Sequence, residues 1–156
     1  MKRVYTLIVL AAIFIFVLVW GYPIYLSPAP VIPAQPVVEE LQTIQLKGET
    51  IRVSVADTPS QREQGLSGRA GLAEDEGMLF VFPKDGNYAF WMKDMRFSID
   101  ILWISANGSV VYMAQNLSPD TYPENFNPKT LTRYVLELPA GYAKAHMVGI
   151  GDRVSF

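Results

Sequence analysis

Apolar residues follow two different patterns along the chain. The first is a run without charge from Val4 to Trp20, whose apolar character continues to Leu26. At about 1.5 Å per helical residue, the longer stretch covers roughly 34 Å, which is enough to cross a bilayer core. Residues 1–26 are therefore predicted to form a cytoplasmic tip and a transmembrane helix, with residues 4–26 in contact with the lipid bilayer.

A cleavable signal peptide is the alternative for this segment, but its apolar region usually has about 7 to 15 residues. Here the run is longer and is followed by Tyr22 and Tyr25, which are typical of a membrane interface. Lys2 and Arg3 precede the run, and no basic residue follows before Lys47. The positive-inside rule predicts a single-pass signal anchor in the cell membrane, with a cytoplasmic N-terminus and an extracytoplasmic C-terminal domain.

Residues 27–42 have no periodic apolar pattern and are rich in proline. The prolines are Pro28, Pro30, Pro33 and Pro36. This composition predicts a semi-rigid, polyproline-like linker, in which residues 27–40 alone reach roughly 43 Å at about 3.1 Å per residue. Residues 43–156 are then expected to form the extracytoplasmic domain.

The second pattern, within that domain, consists of short apolar or alternating runs separated by turn residues. Residues 43–46 and 50–55 predict two strands. Thr58-Pro59-Ser60-Gln61 has the N-cap hydroxyl, first-turn proline and glutamine of a capping box, so a short helix is expected there. A second short helix is predicted at 139–146.

Two hairpins are predicted in the middle of the domain. The fully apolar runs 78–82 and 88–92 flank the turn-forming sequence PKDGN. The runs 99–106 and 109–114 flank Asn107-Gly108, a pair that favours a type I′ turn.

Two more strands, at 133–138 and 153–156, follow a polar, proline-bearing loop at 117–130 that is long enough to cover another part of the domain. Many short strands with regular turn signals predict a mainly β fold. We expect a compact antiparallel sandwich or squat barrel with one or two short helices, in addition to the N-terminal transmembrane helix.

Composition and charge narrow the possible functions. Removing Lys2 and Arg3 from the 13 basic residues leaves 11 against 15 acidic residues, so the predicted external part carries a charge of about −4. A mildly acidic domain without a basic stripe does not favour nucleic-acid binding. The chain has no cysteine and one histidine, and its acidic run 74–76 lacks the ligand spacing of a calcium loop. We expect no metal site and no cofactor.

Asp100 is the most informative polar residue, because it lies inside the apolar run 99–104. Both faces of that strand are apolar, so a buried carboxyl group there needs a cationic partner or a ligand. The candidate partners are Arg62, Arg69, Lys93, Arg96 and Arg133. Glu137 is a second acid in an apolar strand. Two interpretations remain open, a structural ion pair or a pocket that fixes a ligand beside Trp91 and Met92.

Six separated motifs span most of residues 44–156. They are Arg62-x-x-Gly65-Leu66-x-x-Arg69, Gly77-Met78-Leu79-Phe80-Val81-Phe82, Phe90-Trp91-Met92-Lys93, Ile99-Asp100-Ile101, Val135-Leu136-Glu137-Leu138-Pro139-Ala140-Gly141 and Gly151-Asp152. In this order and spacing they resemble the uncharacterised family called domain of unknown function 192 (DUF192). The resemblance implies a small β-rich domain, frequently behind a signal sequence or membrane anchor, and no established reaction.

The resemblance also implies a set of signature residues, which are the predicted ligand-binding residues of this chain. They are Arg62, Arg69, Trp91, Met92, Lys93, Asp100 and Glu137. Backbone roles are implied for Gly65, Gly77, Gly141 and Gly151. Asp94-Met95 departs from the family, whose members often have Asn-Thr there, and this adds a charge and removes a hydroxyl.

Three functions are compatible with these residues. The leading hypothesis is a membrane-anchored domain that binds a small polar or carbohydrate-like ligand in a cleft lined by Trp91, Met92 and Asp100, with an arginine as counter-ion. The second is a hydrolase with Asp100 and Glu137 as its catalytic acid and base, which requires carboxyl groups about 5 to 9.5 Å apart. The third is a cell-envelope interaction module that uses the loop 117–130.

Overall fold

A computed structural model describes the protein from residue 41 to residue 156. The predicted transmembrane helix at 4–26 and nearly all of the linker at 27–42 lie outside the described residues. Within residues 41–156, no helix has both the length and the apolar character needed to cross a membrane.

The described part contains seven strands and two short α-helices. The strands are β1 (Gln42–Leu46), β2 (Glu49–Ala56), β3 (Glu76–Gly86), β4 (Ile99–Ile104), β5 (Val110–Leu117), β6 (Thr132–Pro139) and β7 (Val154–Ser155). The helices are α1 (Pro59–Gln64) and α2 (Tyr142–Ala145), and a 3₁₀ turn covers Pro119–Thr121. One sheet contains all seven strands in the order β5-β4-β6-β3-β2-β1-β7. Its pairs are antiparallel except β2 with β3, which are parallel and were not predicted to be so.

The sheet curls until its two edges approach each other. An antiparallel bridge joins Ser109, next to β5, with Arg153, next to β7. The amide of Val154 donates to the carbonyl of Gly108 at 2.9 Å, and a Cβ atom on Gly108 would lie 2.8 Å from the Val154 carbonyl oxygen. The prediction of a mainly β fold with two short helices is confirmed, and the architecture is a curled sheet that resembles half a barrel.

Each face of the sheet packs against its own apolar cluster. Alternation along the central strands β4 and β6 assigns the side chains, because neighbouring residues of a strand point to opposite faces. Leu102 and Leu136 belong to one cluster, which includes Tyr142 of α2. Trp103 and Val135 belong to the other, which also contains residues from the loop after α1 and from the segment 90–97. All six residues of β4 are buried, which explains why all of them except Asp100 are apolar.

The predicted β4–β5 hairpin is confirmed, but its turn is not of type I′. Gly108 has a φ of 82°, whereas Asn107 does not have a positive φ. The Gly108 amide donates to the carbonyl of Ser105 at 2.9 Å, and the Asn107 side chain accepts from the Ser109 amide at 3.2 Å. This is the geometry of a type I turn followed by a glycine bulge, and the local bond of the asparagine side chain stabilises it.

The predicted hairpin between 78–82 and 88–92 is wrong. β3 continues through the PKDG sequence to Gly86, and it pairs with β2 on one side and with β6 on the other. Residues 88–92 contribute an isolated bridge, between Phe90 and Phe126. Because both edges of β3 are already occupied, no edge remains to which this segment can add as a strand.

Candidate functional site

A cleft opens on the sheet face that packs against the loop after α1. Its inner cavity has a volume of about 310 Å³ and is lined by residues 62–67, by β3, by the segment 87–95 and by Glu137 of β6. An outer cavity of about 430 Å³ is lined by residues of α1 and of the loop after it. Trp91, Lys93 and Asp94 line its other side. We call the two cavities together the α1 cleft.

The short helix α1 is fixed at both of its ends. The Thr58 side chain accepts from the Gln61 amide at 3.3 Å, and the Gln61 side chain accepts from the Thr58 amide at 3.0 Å, so the predicted capping box is confirmed. At the other end, Gly65 has a φ of 49°, and a Cβ atom there would lie 3.3 Å from the ring of Phe80. Glycine therefore lets the end of the helix pack closely on β3.

Arg62 ties α1 to the neighbouring strand. Its Nη1 donates to the carbonyl of Asp57 and, at 2.9 Å, to the carbonyl of Val81. Its guanidinium carbon lies 5.2 Å from the centre of the Phe82 ring, which in turn stacks on Tyr88 with a centroid separation of 3.5 Å. These contacts give Arg62 a structural role in the wall of the cleft.

The segment 87–95 forms the opposite wall. Phe90 exchanges two backbone hydrogen bonds with Phe126, at 2.9 and 2.8 Å, so the loop 117–130 does cover another part of the domain. Next to Phe90, the Trp91 side chain is 52 % exposed and lies at the mouth of the cleft. Its ring packs edge-on against Tyr122, with centroids 6.3 Å apart.

Two hydrogen bonds join this wall to the loop after α1. The Ser67 hydroxyl donates to the carbonyl of Lys93 at 3.0 Å, and the Gly68 amide donates to the carbonyl of Asp94 at 2.9 Å. Asp94 has a φ of 55°, the left-handed conformation that aspartate tolerates better than most residues. The two walls are therefore held at a fixed separation.

Glu137 lines the inner cavity, and its side chain is almost entirely buried. Only 5 % of the residue is exposed, and its cross-strand partners Met78 and Ile101 are buried and apolar. Within the part of the chain that the structure describes, Glu137 Oε2 is the one buried side-chain polar atom without a hydrogen-bond partner. Burial raises the pKa of the Glu137 carboxyl to about 8. The group is therefore mostly protonated at neutral pH and can donate a hydrogen bond.

Asp100 has a different environment, and the prediction that a basic side chain pairs with it is wrong. Its Oδ1 accepts from the amides of Asn116, at 2.8 Å, and Gly141, at 3.1 Å, and its Oδ2 accepts from the amide of Ala143 at 2.9 Å. The physical reason is that the N-cap residue of α2 is Gly141, which has no side chain to cap the helix. Asp100 supplies this cap from the neighbouring strand.

The register of the central strands separates the two carboxyl groups. Asp100 lies opposite Leu138, and Glu137 lies opposite Ile101. Directly opposed residues share a face and successive residues alternate, so Asp100 and Glu137 point to opposite faces of the sheet. They do not form the acid and base pair that the hydrolase hypothesis requires.

Four of the seven predicted ligand-binding residues line the α1 cleft together. They are Arg62, Trp91, Lys93 and Glu137. The other three do not meet there. Asp100 faces the opposite cluster, Met92 is 1 % exposed within the apolar cluster beneath the cleft, and Arg69 lines a separate cavity of about 170 Å³ with Ser54.

Sequence reasoning missed several lining residues on α1, β3 and the segment after it. These are Glu63, Gln64, Ser67, Phe82 and Tyr88. The period-two alternation Met78, Phe80, Phe82 was the available signal for the β3 side, because it places Phe82 on the same face as the apolar cluster. Among residues 41–156, no group of three or more Asp, Glu or His side chains is arranged to hold a metal ion.

Comparisons with known proteins assign the chain to a family. The sequence model of DUF192, described as "Uncharacterized ACR", matches residues 42–156. One solved crystal structure is of a protein from Sinorhizobium meliloti 1021 that is provisionally described as a transcription regulator. Its sequence is 34 % identical to this chain, and the two structures match with a TM-score of 0.72. The match covers 78 % of this chain and 97 % of that one. A protein of unknown function from Novosphingobium aromaticivorans DSM 12444 is 25 % identical with a TM-score of 0.73, over 78 % and 90 % of the two chains. No curated protein matches the sequence. The chain belongs to the DUF192 family.

Proposed function

We propose that the α1 cleft binds a small, uncharged polar ligand of the carbohydrate type. The observation that carries this proposal is Glu137, whose buried Oε2 atom has no hydrogen-bond partner among the described residues and whose side chain lines the inner cavity. An unpaired buried polar group costs about 1–3 kcal/mol. In the proposed bound state, the Glu137 side chain turns toward the adjoining cavity, where a ligand pairs with this oxygen and removes that cost.

The chemistry of the cleft favours a neutral ligand with hydroxyl or amide groups. A protonated carboxyl group donates to a hydroxyl or carbonyl oxygen and also accepts through its other oxygen. The exposed Trp91 ring offers an apolar surface for the flat face of a sugar ring. Among the charged residues that line the cleft, Arg62 and Lys93 are balanced by Glu63 and Asp94, so neither sign of ligand charge is favoured.

The place of this binding domain in the cell is a second part of the proposal. Residues 4–26 are long and apolar enough for a membrane anchor, and Lys2 and Arg3 precede them. The cleft is then expected on the outer side of the membrane, where it meets extracytoplasmic glycans.

Titration calorimetry with N-acetylglucosamine tests the binding proposal. The acetamido group of this sugar accepts from and donates to a protonated carboxyl group, and glucose, which lacks the amide, serves as the comparison ligand. The full-length chain is used in a detergent without a sugar headgroup, because such a headgroup would compete for the site. We expect saturable binding that weakens at least about tenfold, or about 1.4 kcal/mol, in Glu137→Leu and in Trp91→Ala.

Two variants outside the cleft are the matched controls. Phe156→Ala removes another exposed aromatic ring, and Glu124→Leu replaces an exposed glutamate. Both are expected to bind like the unmodified chain. Absence of binding to neutral sugars, or equal loss of affinity in the controls, would refute the proposal.

A further inference from the structure

We infer that the α1 cleft accommodates a linear oligosaccharide of at least two sugar units, with one unit in each cavity. This inference rests on the proposed function and specifies its ligand. Its basis is the shared lining of the two adjoining cavities and the different residues that line only one of them.

The two cavities adjoin each other, because five residues line both of them. The shared residues are Glu63, Gln64, Ser67, Trp91 and Lys93. The volumes of about 310 and 430 Å³ each fall within the range of about 300–1,000 Å³ that is common for small-molecule sites. A ligand that passes Trp91 from the inner cavity therefore enters a second space large enough for another unit.

The inner cavity suits a unit that makes both apolar and polar contacts. Phe80, Phe82 and Phe90 supply apolar surface, and Glu137 supplies the buried carboxyl group. A sugar ring has apolar C–H faces and polar edges, so it can contact the aromatic rings and the carboxyl group together.

The outer cavity suits a unit that makes mostly polar contacts. Apart from Trp91, its side chains carry hydroxyl, amide, carboxylate or ammonium groups, and Ser60 and Asp94 line this cavity but not the inner one. The hydrogen bonds from Ser67 to Lys93 and from Gly68 to Asp94 join its walls. Such a wall is preorganised, so little conformational entropy is lost when a hydroxyl-rich ligand binds.

A peptide fits these walls less well than a sugar chain. Extended peptides usually add to a free strand edge or insert apolar side chains into pockets. The outer cavity lies between α1 with its following loop and residues 91–94, none of which belongs to a β-strand, and Trp91 is its one apolar side chain. The walls therefore favour hydroxyl groups along the length of the ligand.

The neighbourhood of Trp91 supports its position between the two units. Tyr122, itself 47 % exposed, packs edge-on against the indole at an interplanar angle of 74°. This contact restricts the orientation of the Trp91 ring, which lines both cavities. Trp91 is therefore expected to contact both units of the ligand.

Calorimetry with N-acetylglucosamine and its β-1,4-linked dimer and trimer tests the inference on the full-length chain. We expect the dimer to bind at least about tenfold more tightly than the monomer. Ser60→Ala and Asp94→Gly, which remove side chains of the outer cavity, are expected to lower the affinity for the dimer severalfold and to affect the monomer less, because the monomer is expected to occupy the inner cavity beside Glu137. Glycine is chosen at position 94 because it tolerates the φ of 55°.

Asn116→Gly is the matched control, because Asn116 also has a positive φ, of 53°, and an exposed side chain, and it does not line the cleft. Equal affinity for monomer and dimer would overturn the inference and leave the proposed function intact. Loss of monomer binding in Asp94→Gly would also overturn it. If no member of the series binds, the proposed function itself fails. If instead a trialanine peptide binds and its binding is lost in Ser60→Ala, the cleft is a peptide site.

Discussion

At the scale of single residues, Asp100 and Glu137 show how the immediate surroundings decide the role of a buried acid. Both lie on central strands and are at most 5 % exposed. Asp100 is within reach of three backbone amides, which satisfy both of its oxygens. Glu137 lies between apolar cross-strand neighbours, and its Oε2 has no partner in the described part of the chain. One acid therefore stabilises the fold, and the other keeps an unpaired buried oxygen beside the α1 cleft.

The ionisation of Glu137 predicts a pH-dependent stability. The ordinary pKa of 4.5 applies to the unfolded chain, and burial raises the pKa in the fold to about 8. Between these values the unfolded state releases a proton that the folded state retains. The free energy of unfolding therefore falls as pH rises from about 4.5 to about 8, by on the order of 4 to 5 kcal/mol from this group. Above that range the contribution is constant.

Glu137→Gln removes this titration and keeps the size of the side chain. We expect the variant to be more stable than the unmodified chain at pH 8, with a difference that disappears towards pH 4. Denaturant unfolding of both chains at a series of pH values measures the difference, and all other titrating groups cancel in the comparison. Stability curves that stay parallel from pH 4 to 8 would contradict a buried, ionisable Glu137.

Asp100→Asn tests the capping role. The amide of asparagine offers one acceptor oxygen and places an NH₂ group against a backbone donor. We expect a loss of about 2–4 kcal/mol in the free energy of unfolding, because buried amides lose their acceptor. Sugar binding at saturating ligand should persist, since Asp100 faces away from the cleft. Asp120→Asn, at an exposed position, is the control, and unchanged stability in Asp100→Asn would show that the cap is dispensable.

At the scale of elements, local signals predicted those elements whose partners are close in sequence, although not the type of the β4–β5 turn. The capping box of α1, the neighbouring strands β1 and β2 and the hairpin β4–β5 are of this kind. The apolar run of β3 was assigned to the wrong partner, because its real partners are the parallel strand β2 and the distant strand β6. A strand that is apolar at every position indicates burial on both faces and carries no information on which strands flank it.

The candidate site was predictable to a similar degree. The aromatic and charged residues of the segment 90–93 and the acid Glu137 stand out from their surroundings in the sequence. The partners of Asp100 do not stand out in the sequence, because they are the backbone amides of Asn116, Gly141 and Ala143. Every residue except proline has such an amide. Side-chain chemistry was therefore readable from the sequence, whereas backbone hydrogen bonding needed the fold.

Close packing between β3 and β6 gives a prediction at this scale. A Cβ atom on Gly77 would lie 2.8 Å from the Glu137 carbonyl oxygen and 3.0 Å from the Leu138 side chain. We therefore expect Gly77→Ala to push the two strands apart and to lower the free energy of unfolding by about 1–3 kcal/mol. Gly71→Ala is the matched control, because nothing lies within 4 Å of its added Cβ. Equal stability of the two variants in urea unfolding would show that the strands yield without cost.

At the scale of the whole molecule, the anchor and the cleft depend on different parts of the sequence. Residues 41–156 contain the sheet, both apolar clusters and the α1 cleft. The predicted membrane anchor belongs to residues 4–26, which are joined to the domain by a proline-rich segment. Deleting the anchor is therefore expected to change where the domain resides without changing which residues line its cleft.

Extraction of membranes at high pH tests the anchor directly. The uncharged run from Val4 to Trp20 is expected to keep the full-length chain in the membrane pellet, whereas a chain lacking residues 1–26 should be released.

Protease added to intact spheroplasts tests the orientation, because an extracytoplasmic domain is accessible and a tag placed before Lys2 is protected. Replacing Lys2 and Arg3 by glutamate should weaken this orientation. Release of the full-length chain into the soluble fraction would refute a spanning helix, and protection of the domain would refute its external location.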